Sequence, residues 1–210
     1  KGDILDGQHR LLACIQAGMD FETFVASGVD EESFVTIDSG ISRKFSDVVS
    51  ILGYPDGSRL SAMVRGWWEY QRRGKLGTTG REAQATTQEL QKTLLENTDI
   101  FLACLRDIRN GQRLFGGSTA AWGVAWIACG LIDEIDRDFF WDRLEDGQNL
   151  SDGDAVYALR RYLEHTGENR GIVPPNIQLA YIIKAWNKFR NHENVQVLTY
   201  HASDIWPVPV

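Results

Sequence analysis

Cysteine is scarce in this chain. Cys14, Cys104 and Cys129 are all it has, an odd number with no C-x-x-C spacing. That excludes a disulfide scaffold. Each cysteine sits in a helix-like apolar pattern, so buried reduced thiols are expected. Histidine is almost as sparse: His9, His165, His192 and His201 form no spaced ligand set with the cysteines, and no structural zinc site is expected. Long apolar runs are missing too. The most apolar stretch, residues 120–132, is interrupted by Gly123 and Gly130 and falls short of the roughly 18–20 residues of a membrane span, which points to a buried helix instead. Nor is there an excess of positive charge. The net charge of −7 argues against non-specific coating of DNA by the chain as a whole, because phosphate neutralisation supplies most of that affinity. The chain opens at Lys1 in what reads as a strand already under way, with no charged-then-apolar leader. A further N-terminal segment is therefore expected, and no signal peptide is visible.

What is present is the material of a globular protein. With 210 residues, 43% of them hydrophobic, the chain can bury the core of one generous domain or two small ones. Residues 3–6 read as a strand end, and residues 8–17 as a helix closed by Gly18. Residues 21–25, β-branched and aromatic, predict a second strand. Asp30 is placed to cap a short helix to residue 37, and Ser46 another ending near Gly53. After the turn at Pro55-Asp56-Gly57, Leu60, Met63, Val64, Trp67 and Tyr70 recur at helical spacing. Residues 75–80 read as a hinge. Thr86 and Glu89 have the spacing of a capping box and open a helix to about residue 110. Ser118 begins a helix carrying Trp122, Trp126 and Leu131, and further helices fit residues 137–145, 152–164 and 177–190. Residues 195–200 read as a terminal strand before an extended Trp206-Pro207-Val208-Pro209 tail. The seven tryptophans could stack bases, but Trp122, Trp126 and Trp186 fall at core positions. The acids Asp133, Glu134, Asp136 and Asp138 fit a mixed helix surface as well as a metal site.

The segment that carries chemistry is Asp6-Gly7-Gln8-His9-Arg10, a strand end, a glycine and a helix start. Gly7 lets a ligand approach the backbone without a Cβ in the way. Free N–H groups of the first helical turn, together with the helix dipole, favour an anion there. Arg10 can grip a phosphate in a bidentate manner, and His9 can donate a hydrogen bond or move a proton. Asp6 repels phosphate directly, so it suits a magnesium ligand, a base or a structural cap. The plain alternative is a strand–helix corner in which Asp6 and His9 only satisfy local backbone groups.

This segment resembles the D-G-Q-H-R motif of DGQHR proteins, and is similar to the G-x-R-R of ParB and the G-C-H-R of sulfiredoxin. Downstream, Thr36 to Arg43 resembles the I-D-x-G-x-x-R of phage ParB-like proteins and, more loosely, the E-N-x-x-R of partition-type ParB, from which it departs by one extra residue between Asp38 and Arg43 and by lacking the asparagine. Ile183-Lys184-Ala185-Trp186-Asn187 and the Trp-Pro ending resemble the C-terminal region of phage proteins of this architecture. The resemblance implies an α+β fold, the C-terminal part of a ParB/sulfiredoxin-like α/β domain over residues 1–55 followed by a mainly helical accessory region over 56–210. It implies a nucleotide-phosphate site at Asp6, Gly7, Gln8, His9, Arg10, Asp38 and Arg43, with His9, Arg10, Asp38 and Arg43 converging on one cleft. Magnesium carried by a nucleoside triphosphate would meet Asp6. Gln8 stands where sulfiredoxin has its reactive cysteine, so sulfinic-acid reduction is not expected. The reading implied is a nucleotide-binding, DNA-associated protein of a phage or mobile element, in the cytoplasm of a bacterial host. A phosphotransferase or nuclease using the same site, or a structural protein without ligand, are the alternatives.

For DNA the candidate is residues 59–81, with Arg59, Arg65, Arg72, Arg73, Lys75 and Arg81 against the single acid Glu69. A short helix, a glycine turn and a longer helix over residues 46–73 superficially suit a helix-turn-helix reader. Trp67 and Trp68 are awkward in a recognition helix and are expected to pack inward.

Overall fold

A computed structural model of the chain describes residues 4–29, 44–77, 84–168, 173–201 and 203–210. Its residues fall into two compact units, 1–44 and 45–210. In the first, α1 (Gln8–Ala17) starts after Gly7 and ends at Gly18, whose φ of 62° and backbone N–H to Cys14 O close the helix as expected. None of its residues is buried.

The second unit holds α2 (Phe45–Ile51), α3 (Gly57–Arg73), α4 (Thr87–Glu96), α5 (Thr98–Phe115), α6 (Thr119–Gly130), α7 (Glu134–Asp146), α8 (Ala155–Glu168) and α9 (Pro175–Arg190). Their starts follow from local chemistry. Thr86 Oγ1 accepts from Glu89 N at 3.2 Å while Glu89 returns a carboxylate to Thr86 N at 2.9 Å, a complete capping box. Ser118 accepts from Ala121 N to start α6, and Asp133 from Asp136 N at 2.9 Å to start α7. The helix predicted from 86 to about 110 is two helices, α4 and α5, meeting at Asn97. Leu94, Phe101, Cys104 and Ile108 are fully buried on both sides of that junction, so the apolar pattern runs through it without a break.

Helix α6 lies at the centre. Every residue from Ala121 to Cys129 is buried, which an all-round apolar sequence requires. It packs against α3, α5, α7 and α9, while α2 covers α3 and α8 covers α9. Trp122 is fully buried, its Nε1 donating to Gly116 O at 2.8 Å. Trp126 and Trp186 are buried as expected, and so are Trp67 and Trp68. Cys104 and Cys129 are free and buried, and burial pushes both thiols well above their usual range.

The α+β expectation is overturned: no strand or sheet occurs among the described residues, and the sulfiredoxin-like fold is not supported. Residues 4–6, 21–25 and 195–200 carry no regular structure apart from one isolated antiparallel bridge between Gly153 and Val195. A β-branched stretch is only a strand when a neighbour completes its ladder of hydrogen bonds. None of the three has one. No helix among the described residues is long and apolar enough to cross a membrane.

Candidate functional site

At the start of α1, Gly7 adopts the left-handed conformation, φ 88° and ψ 4°, and caps the helix without any side-chain hydrogen bond. Leu11 N donates to Gly7 O at 3.0 Å, the first bond of the helix, so the N–H groups of residues 8 to 10 precede any intrahelical acceptor. No acidic residue occupies the first turn of the helix. A Cβ built on Gly7 would meet nothing within 4 Å, so its backbone conformation rather than crowding calls for glycine. Gln8 turns back, its Nε2 donating to Ile4 O at 2.9 Å. That commits Gln8 to fastening the preceding loop. Asp6, His9 and Arg10 are exposed. The structure therefore brings Asp6, Gly7, His9 and Arg10 to one uncapped helix end. Asp38 and Arg43, and with them the expected cleft, lie outside the described residues.

The basic candidates behave differently. Arg59 is held inside the helical unit, donating to Asp56 at 3.0 Å and to Gln112 through Nε at 3.2 Å. Arg72 pairs with Glu89 at 3.3 Å and lies 4.5 Å from the Trp68 ring. Arg65 and Lys75 are exposed. Arg65 and Arg72 are seven residues apart and share a helix face, from which Arg59 is turned away. Arg73 is exposed at the helix end, and Arg81 lies outside the described residues. The five described cations do not form one stripe. Nor does α3 project as a reading head: it buries Leu60, Met63, Val64, Trp67 and Trp68 against its neighbours.

Among the described residues no group of three or more His, Cys, Asp and Glu could hold a metal ion. The acids around α7 have structural duties. Asp133 caps the helix, and Asp133 and Asp136 pair with Arg190 at 3.5 and 3.0 Å. Arg137 lies 3.7 Å from the Trp126 ring and pairs with Asp138 at 2.7 Å. Two carboxyls that sequence reasoning missed are the half-buried Glu145 of α7 and the more exposed Asp107 of α5. Glu145 accepts from Gly111 N at 3.1 Å; burial first, then the charges of Asp142 and Asp107, raise its pKa. Burial likewise raises Asp107, with Asp138 and Asp142 adding to the effect against Arg137 and Arg106. Thirty-four residues of sequence separate Gly111 from Glu145, so no local spacing announces the pair.

Comparison with known proteins finds no matching family model, no similar curated protein and no similar solved structure. The resemblance to ParB-like proteins rests on the quoted residues alone.

Proposed function

We propose that residues 6–10 bind the phosphate of a nucleotide. The observation that carries this is the start of α1, where Gly7 supplies the left-handed turn without a side-chain cap and His9 and Arg10 stand exposed beside the first-turn N–H groups. Helix dipole, backbone donors and a guanidinium all favour the same charge at that point. Arg10 grips the phosphate, and His9 donates to it. Asp6 is one carboxylate, too few for a protein-built magnesium cage but sufficient for magnesium that arrives on nucleotide phosphates and keeps several waters. The proposal concerns this ligand site and does not depend on a sulfiredoxin-like sheet.

Titration calorimetry with nucleoside triphosphates, with and without magnesium, tests it. Arg10→Ala is expected to weaken binding by roughly 1.5–3 kcal/mol, the range for hydrogen bonds to a charged group. Equal affinity in wild type and variant would remove the site.

A further inference from the structure

The C-terminal half of α9 holds residues 206–210 by their backbone. Asn187 Nδ2 donates to Val208 O at 2.8 Å, and its Oδ1 accepts from Val210 N at 3.1 Å. One residue back on the helix, Trp186 Nε1 donates to Val210 O at 3.1 Å. A carbonyl and the amide two residues later lie on the same edge of an extended chain. The Asn187 carboxamide therefore pairs with the tail as a neighbouring strand would. The residue between them, Pro209, is buried, and its missing N–H costs nothing there because that position faces away from Asn187. Val208 and Val210 leave 63% and 53% of their surface exposed. The groove reads main chain and a proline ring, not the flanking side chains.

We propose that this edge of α9 is a docking groove for an extended X-Pro-X segment of a partner protein, occupied here by the chain's own residues 206–210. Trp186 is fully buried, so its N–H needs an occupant that presents a carbonyl. Trp206 and Val208 each precede a proline, which biases the tail towards the extended conformation the groove accepts. At its far end the seating is imperfect: Trp206 Nε1 is buried without a hydrogen-bond partner among the described residues. That cost favours exchange of the tail for a segment that avoids it. The tail's advantage is its tether, which raises its effective concentration over any competitor in solution.

The test uses the full chain and a fluorescein-labelled, amidated peptide copying residues 204–210, followed by anisotropy. Wild type is expected to bind it weakly, because its own tail competes. Replacing Pro207 and Pro209 of the chain by Gly unseats that tail and should tighten peptide binding by roughly tenfold or more. Adding Asn187→Ala should reverse the gain by roughly tenfold, the effect of two lost hydrogen bonds. A peptide N-methylated at its last valine loses the N–H that meets Asn187 and should bind as poorly, with no change to the protein's fold. Equal binding of the methylated and plain peptides, or no gain from the glycine tail, would overturn the proposal.

Discussion

At the scale of single residues, the half-buried carboxyl of Glu145 is the most informative group outside the α1 site. Its folded pKa lies above the unfolded value because burial and the neighbouring Asp142 and Asp107 disfavour its charge. The folded state thus binds more protons than the unfolded state around that raised pKa, so stability falls as pH rises through this window and stays lower at neutral pH. Glu89 works the other way. Its backbone and side-chain bonds to Thr86 lower its pKa, so its stabilisation is present above the unfolded value and is lost as pH falls through the folded one. Glu145→Gln keeps an acceptor for Gly111 N and removes the disfavoured charge. The expected outcome is a Tm higher than wild type by about 1–2 °C at pH 7, corresponding to roughly half a kcal/mol in a chain of this size. The difference should shrink as the pH of the scan is lowered towards the carboxylate range. A variant less stable than wild type at neutral pH would mean that the charge on Glu145 is needed at that position.

Between elements, α3 approaches α6 closely at Gly66. A Cβ on Gly66 would stand 2.7 Å from Ala120 Cβ and 3.2 Å from Ala120 Cα. Helix propensity alone makes Gly66→Ala favourable by about 1 kcal/mol. Packing reverses the sign, because a methyl against helix backbone cannot be accommodated by rotating a side chain. The expected result is destabilisation of about 1–3 kcal/mol in urea unfolding, partly recovered by adding Ala120→Gly. Gly123 faces the flexible Met63 side chain at 2.5 Å, so the same substitution there should cost less. This is a contact that the sequence does not announce, since Gly66 sits in an ordinary amphipathic pattern. Much else at this scale was legible. The Thr86–Glu89 box, the start of α6 at Ser118, and the buried Trp122 and Trp126 all follow from local chemistry or helical spacing. The strands were misread because a β-branched run such as residues 21–25 shows its propensity in sequence but not whether a partner exists. For the site, Gly7 and its helix start were legible as a motif. The diversion of Arg59 to Gln112, 53 residues away, was not, because only tertiary packing brings them together.

At the scale of the whole molecule, the two units differ in what holds them. All the buried hydrophobic residues lie between Phe45 and Leu198 among those described, whereas α1 leaves Leu12 and Ile15 exposed at 56% and 77%. An isolated helix of α1's length, 10 residues, is shorter than the roughly 12–15 at which helices persist in water without tertiary support. The stability of the chain should therefore reside in residues 45–210. A fragment beginning at Lys44 is expected to unfold cooperatively with a Tm within about 3 °C of the full chain, corresponding to about 1 kcal/mol or less. Amide exchange on the intact chain gives an independent reading, since α1 should exchange with little protection while α6, buried on every side, sets the slowest rates. The same measurement repeated with nucleotide bears on the α1 site, because a ligand that bridges Arg10 and the first-turn N–H groups of residues 8 to 10 must slow exchange there first. A fragment that loses its cooperative transition, or an α1 as protected as α6, would mean that residues before Phe45 contribute to the core after all.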